Sequence, residues 1–109
     1  MERREQTRYR MAAEVNFTWL DSDGARAASS GRTRDISSKG MFIYSNVQPP
    51  EETDVQLELA FRPTKETREF AMHVDGRVVR VEPSGRGGLQ AGFAVLNRKY
   101  SLYNHVTSR

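Results

Sequence analysis

The chain has 109 residues, of which 37% are hydrophobic and 28% charged, and its formal net charge is +3 at pH 7. This length suits a single domain with one core, and the composition is too apolar for a disordered chain. No apolar run approaches the roughly 20 residues that span a bilayer, and the charged N-terminus lacks the apolar segment of a secretory signal. We therefore expect a cytoplasmic protein without membrane insertion.

The composition also excludes several kinds of reactive site. Cysteine is absent, which excludes disulfides, thiolate metal sites and cysteine nucleophiles. The two histidines, His73 and His105, are too few for a multi-histidine metal site. No acidic residues show the spacing of an acid/base pair, and no serine lies in a Gly-x-Ser-x-Gly context. The sequence thus predicts no enzyme, no metal and no cofactor, and places His73 at the surface or rim of the fold.

Period-2 alternation of apolar residues predicts six short strands. They cover residues 13–19, about 25–33, 41–44, 55–61, 68–81 and 89–95. Asp21–Gly24 is typical of a turn in which Gly24 takes positive φ, and Gly76 predicts a bulge or bend inside its strand. After Asn97, the spacing of Tyr100, Tyr103 and Val106 predicts a short helix.

These elements predict an all-β fold, a small six-stranded antiparallel β-barrel with a short C-terminal helix. No long helix lies between strands, which excludes a parallel βαβ architecture, and barrel closure removes exposed sheet edges. The predicted organisation is an N-terminal arm (1–10), the barrel (11–97) and a short helix or tail (98–109). The expected core comprises Val15, Phe17, Trp19, Phe42, Leu57, Leu59, Phe61, Phe70, Met72, Val74, Val79, Phe93 and Val95.

The basic residues are mostly arginine, and one pair precedes the first strand. Arg4 and Arg8 form an R-x-x-x-R motif, with Arg3 directly before it. In an extended segment their stems begin about 13 Å apart, and in a helical turn they share one face. Either arrangement can hold a small polyanion, because the guanidinium group forms paired bonds to phosphate and to guanine. The alternative is a solvated, charged arm.

A second motif, D-x-S-x-x-G, connects the second strand to the strand at Met41. Asp35 can accept the N1–H and N2–H donors of a guanine, Ser37 can donate or accept, and Gly40 permits a close backbone approach. The alternative is a purely structural turn, in which Asp35 and Ser37 bond their own backbone and Gly40 takes positive φ.

The two motifs together, in this order on an all-β chain of this length, resemble the PilZ domain family. The resemblance covers nearly the whole chain and includes the strands 76–81 and 92–95. It implies a β-barrel that binds the bacterial second messenger cyclic di-GMP. Arg4 and Arg8 would then hold the phosphates and guanine faces, and Asp35, Ser37 and Gly40 would line the barrel surface and read a guanine edge. Arg3 would add a third guanidinium to this ligand site, with a solvated side chain as the alternative.

The expected function is therefore that of a signalling receptor, in which ligand binding orders the N-terminal arm and so signals to a downstream protein partner. Two alternatives stay open. One is a small nucleic-acid-binding barrel of the OB or cold-shock type, although the PilZ-like pattern predicts no DNA or RNA partner. The other is a PilZ-like module that contacts proteins without binding a ligand.

Overall fold

The computed structural model describes residues 9–10, 12–61, 70–83 and 91–104, and these described residues contain strands and turns but no helix. Within these described residues, seven strands follow one another. They are β1 (Tyr9–Arg10), β2 (Glu14–Leu20), β3 (Arg26–Ile36), β4 (Gly40–Tyr44), β5 (Asp54–Phe61), β6 (Phe70–Glu82) and β7 (Gly92–Asn104).

The strands close into an antiparallel β-barrel, which confirms the predicted fold class. The sheet order is β1-β3-β2-β5-β6-β7-β4, and pairing of β4 with β3 closes the ring of six longer strands. Asp35 of β3 pairs with Arg10 of β1 on one side and with Phe42 of β4 on the other. The short β1 therefore continues the line of β2 along one edge of β3.

Alternating side chains fill the barrel interior, as expected for half-buried strands. The predicted core residues Val15, Phe17, Trp19, Leu57, Leu59, Val74, Phe93 and Val95 all belong to the inner cluster, with Ala13, Met41, Ile43, Val55 and Val78. Met72 packs against this cluster and is partly buried. The predicted core positions Phe61 and Phe70 have side chains outside the described part of the structure.

The prediction that Val79 lies in the core is wrong, because the inward alternation of β6 runs unchanged from Val74 to Val78. Val79 is 49% exposed, whereas Val78 is fully buried. The register with β7 shifts only after Val78, where one extra residue enters β6, so that Val81 and not Arg80 is the next residue of β6 to pack against the core. The predicted irregularity at Gly76 is confirmed by a second register shift between Asp75 and Gly76.

The predicted helix after Asn97 is wrong as far as Asn104, because these residues continue β7. Lys99 pairs with Asp75, and the pairing continues until Asn104 faces Phe70. Backbone hydrogen bonding to β6 therefore determines the conformation here, and the spacing of Tyr100 and Tyr103, which predicted a helix, does not. Residues 105–109, which include His105 and Val106, lie outside the described residues.

Candidate functional site

The D-x-S-x-x-G motif lies on the connection between β3 and β4. Asp35 belongs to β3 and not to the loop, and Gly40 is the first residue of β4. Asp35 pairs with Phe42, whose neighbours Met41 and Ile43 point into the barrel. Asp35 and Phe42 therefore lie on the outer wall, where both are nonetheless buried.

Ser37 holds the turn through its side chain and backbone. Its hydroxyl accepts the backbone N–H groups of Lys39 at 3.3 Å and Gly40 at 3.2 Å, and it donates to the Gly40 carbonyl at 3.2 Å. The backbone N–H of Ser37 also donates to that carbonyl, at 2.8 Å. Ser37 thus forms the structural turn that the sequence offered as the alternative to guanine recognition.

Gly40 is required for close packing and not for positive φ. A Cβ atom at this position would lie 2.5 Å from the Val95 carbonyl oxygen of β7, which is too close for any side chain. Among the described residues, positive φ occurs at Gly24, as predicted, and at Glu52. The part of the structural alternative that gave Gly40 positive φ is therefore wrong.

Asn97 fastens the turn to β7, a role that the sequence did not reveal. Its side-chain amide donates to the carbonyls of Ser37 and Ser38, both at 3.2 Å, and its backbone N–H donates to the Lys39 carbonyl at 2.7 Å. The Asn97 Oδ1 atom is buried and has no hydrogen-bond partner among the described residues. Only the barrel brings Asn97 to the turn, since about 60 residues separate them in the chain.

Arg34 is the second site residue that sequence reasoning missed. Its Nε–H donates to Asp35 Oδ2 at 2.7 Å, and its guanidinium lies over the Phe42 ring, 4.3 Å from the ring centroid. The hydrogen bond to Asp35 raises the pKa of Arg34 above its ordinary value, while partial desolvation acts in the opposite direction. A permanent positive charge is therefore held against the buried carboxylate.

Gly92, at the start of β7, leaves room for the Phe42 ring. A Cβ atom on Gly92 would lie 2.6 Å from Cε1 and 2.9 Å from Cζ of the Phe42 ring. On its other side in β4, Phe42 contacts Tyr44 edge to face, with 5.6 Å between ring centroids. Phe42 was predicted as a core residue, and it is buried, but on the outer wall and not in the inner cluster.

The N-terminal strand passes beside the same turn. Tyr9 pairs with Ile36 and Arg10 with Asp35. Just beyond β1, the Ala13 N–H donates to the buried Thr33 hydroxyl at 2.8 Å, and the Thr33 N–H donates to the Ala13 carbonyl at 2.9 Å. The segment that follows the R-x-x-x-R motif is thus fixed along the end of β3. The three predicted ligand-binding arginines, Arg3, Arg4 and Arg8, lie outside the described residues.

A second charged group lies on the outer wall of β5 and β6. His73 Nδ1 is 3.0 Å from Glu58 Oε2, and His73 Nε2 is 3.2 Å from Asp75 Oδ1. The hydrogen bond to Glu58 raises the pKa of His73 most, partial desolvation lowers it, and the bond to Asp75 raises it further. The His73 side chain is 37% exposed, which agrees with the predicted surface position.

The described residues contain no group of three or more His, Cys, Asp or Glu side chains arranged to hold a metal ion. A search of the same residues finds no helix of the length and hydrophobicity needed to cross a membrane.

The fold and the outer-wall turn define a class of protein: a small closed β-barrel with a buried acidic turn beside its N-terminal strand. The chain matches the family model of the PilZ domain over residues 2–100. It belongs to the PilZ domain family, and the resemblance drawn from its two motifs is confirmed.

One solved structure shows how closely the fold follows a known protein. The barrel is similar to that of the Bacillus subtilis inhibitor of motility (MotI/DgrA), with a TM-score of 0.69 and 12% sequence identity. The similarity covers 93% of this chain but 45% of that protein, so this chain spans less than half of its length. At this identity the likeness concerns the fold. Comparison with curated proteins finds no significant match.

Proposed function

We propose that this PilZ domain is a non-enzymatic receptor for cyclic di-GMP, and that the ligand binds at the outer-wall turn between β3 and β4. The observation that carries the proposal is the pairing of β1 with Asp35 and Ile36. Arg8 directly precedes β1 in the chain, so this pairing supports an arrangement in which the R-x-x-x-R and D-x-S-x-x-G motifs act on one ligand.

The chemistry of the two motifs suits this ligand. Cyclic di-GMP carries two phosphates and two guanines, and arginine forms forked bonds to both groups and stacks on purine faces. In the proposal Arg3, Arg4 and Arg8 hold the phosphates and guanine faces, and Asp35 accepts guanine N–H groups. Ser37 and Gly40 contribute by fixing the turn that presents Asp35, as their hydrogen bonds and packing support.

The burial of Asp35 supports a switch in the N-terminal arm. Asp35 is 5% exposed, with β1 beside it and Arg34 bonded to it. A guanine that reaches this carboxylate must therefore displace part of its cover. We propose that the arm rearranges and becomes ordered around the ligand, and that a downstream protein partner recognises the rearranged surface.

Most aromatic side chains that the structure describes do not favour the nucleic-acid alternative. A barrel that stacks bases presents aromatic rings on its surface. Here the rings of Phe17, Trp19 and Phe93 point into the barrel and Phe42 is covered on the outer wall. Among the aromatic side chains that the structure describes, only Tyr100 is exposed. A receptor that reads one small dinucleotide through charged and polar groups fits this distribution better.

The test is calorimetric titration with cyclic di-GMP of the wild type, Arg4→Ala and Arg8→Ala. Each variant should lose one or more charge-assisted bonds and bind about ten- to hundredfold more weakly, with an unchanged apo thermal midpoint. Arg26→Ala is the matched control, since Arg26 lies exposed at the opposite end of β3. Unchanged affinity in both arm variants would contradict the site assignment.

The same titrations at two salt concentrations distinguish the proposed ligand from nucleic acid. Affinity for a doubly anionic ligand should fall gently with salt, because few charges are neutralised. Binding of an oligonucleotide would fall steeply through counterion release. A protein that binds oligonucleotides with a steep salt dependence and does not bind cyclic di-GMP would refute the receptor proposal.

A further inference from the structure

Arg34 belongs to neither sequence motif, yet it is tied to the central carboxylate of the candidate site. Its Nε–H bond to Asp35 Oδ2 uses one of the five N–H donors of the guanidinium. The side chain is 39% exposed, and its Cζ atom lies over the Phe42 ring. Arg34 is therefore a held but accessible donor directly beside a carboxylate.

We propose that Arg34 and Asp35 act together as one guanine-reading face, with Arg34 donating to guanine O6 while Asp35 accepts from N1–H and N2–H. This inference rests on the proposed function and adds a specificity-determining residue to it. The pair presents a donor followed by two acceptors, which is the order of groups on the pairing edge of cytosine. The edge of guanine is the complement, an acceptor followed by two donors.

The chemistry of the two side chains permits this double role. A carboxylate has about four acceptor sites, so one oxygen can serve Arg34 and further donors at the same time. The guanidinium is planar, so the N–H groups on its Nη atoms lie in the same plane as the Nε–H that bonds to Asp35. A guanine seated on Asp35 then presents O6 toward those N–H groups.

The contacts around Arg34 support preorganisation of the face. The Phe42 ring holds the guanidinium on one side, and Gly92 leaves room for that ring. A planar donor fixed in this way loses less rotamer freedom on binding than a free arginine. Lysine at this position would keep a positive charge, but its ammonium group lacks the planar set of N–H donors of the guanidinium.

The pair also predicts which dinucleotide is rejected. Adenine carries an amino group where guanine carries O6, so the Arg34 donors would face another donor. It also lacks the N1–H and N2–H groups that Asp35 accepts. Discrimination against cyclic di-AMP should therefore depend on Arg34 as well as on Asp35, because sites that hydrogen-bond a substrate group reject analogues without it.

The experiment titrates cyclic di-GMP and cyclic di-AMP into the wild type, Arg34→Ala, Arg34→Lys and the control Arg26→Ala. Arg34→Ala should weaken cyclic di-GMP binding about tenfold without weakening cyclic di-AMP binding. The ratio of the two affinities should therefore fall about tenfold. Arg34→Lys should recover part of the affinity but not the preference. Arg26→Ala should behave as the wild type with both ligands.

The possible failures are distinguishable from one another. A wild type that does not bind cyclic di-GMP refutes the proposed function. A wild type that binds it while Arg34→Ala binds both dinucleotides as before refutes the role of Arg34. Equal weakening of both ligands in Arg34→Ala also refutes it, because Arg34 would then attract phosphates without reading a base. Equal thermal midpoints show that all variants are folded.

Discussion

Two of the carboxylate–cation groups on the outer wall of this barrel differ in their surroundings. On β3, Asp35 is buried, bonded to Arg34, and flanked by a turn that Ser37 and Asn97 hold in place. On β5 and β6, Glu58 and His73 form a pair whose side chains are 49% and 37% exposed.

The difference shows how a binding site can be told from an ordinary surface ion pair. Exposed pairs are screened by water and contribute little energy. A buried carboxylate needs partners to compensate its desolvation, and here these partners hold it in a fixed position. A turn held by hydrogen bonds thus follows Asp35, whereas Glu58 lies within the strand β5, and this difference supports the β3–β4 turn as the proposed ligand site.

The sharpest test of this comparison removes one carboxylate from each group. Asp35→Ala should weaken cyclic di-GMP binding about ten- to hundredfold, because guanine N–H donors would face a methyl group at a cost of about 1–3 kcal/mol. Asp35→Asn should retain more affinity, since one acceptor remains and the turn tolerates asparagine. Glu58→Ala, two strands away in the sheet, should bind as the wild type does.

Selectivity gives the second readout of these variants. The wild type should prefer cyclic di-GMP to cyclic di-AMP, and the preference should narrow in Asp35→Ala. Parallel titrations with both dinucleotides measure this. Equal binding of the two by the wild type, or full guanine preference in Asp35→Ala, would leave Asp35 with only a structural role.

A smaller effect should follow when the turn is loosened without touching a predicted ligand contact. Asn97→Ala removes the amide that donates to the Ser37 and Ser38 carbonyls, and should destabilise the fold by about 1–2 kcal/mol. Asn97→Asp should cost more, because it places an acceptor beside two carbonyls. Both should weaken cyclic di-GMP binding several-fold through the turn.

Urea unfolding and titration with cyclic di-GMP of the same variants check this prediction. The control is Ser101→Ala, since Ser101 is an exposed residue of β7. If Asn97→Ala and Asn97→Asp unfold like the wild type, the two amide hydrogen bonds do not hold the turn. If they destabilise the protein but bind the ligand normally, the turn does not position the site.

The sequence predicted the barrel because alternation is a local signal. Phe17 and Leu57 face inward as their strands require. It failed where a distant partner decides the outcome. Pairing with β6 makes the residues around Tyr100 a strand, and the alternation of β6 runs unchanged through Gly76, which leaves Val79 exposed. Local patterns carry no information about which strand will pair with them, or with what offset.

The prediction of the candidate site succeeded and failed for the same reason. The motif residues Asp35, Ser37 and Gly40 are close in the chain, so their shared turn could be predicted. The contact of Asn97 with that turn arises only when the barrel closes. Arg34 adjoins Asp35 in sequence, but its role depends on the Phe42 ring across the β3–β4 pair, which no spacing within β3 indicates.

The smallest expected effect concerns His73, and it tests the exposed Glu58–His73 pair. Because the folded-state pKa of His73 is raised above its ordinary value, folding favours the protonated ring. Its stabilising contribution is present below about pH 6.5, the unfolded value, and is lost as pH rises through the folded pKa. Screening at this exposed site keeps the contribution below about 1 kcal/mol.

NMR titration in a His105→Gln background should show the raised pKa of His73, and Glu58→Gln should lower this pKa more than Asp75→Asn. Urea unfolding should show the pH-dependent difference between wild type and His73→Gln, while both bind cyclic di-GMP equally. A His73 pKa at or below its ordinary value, or weaker ligand binding by His73→Gln, would contradict the assignment of this group as a surface ion pair separate from the site.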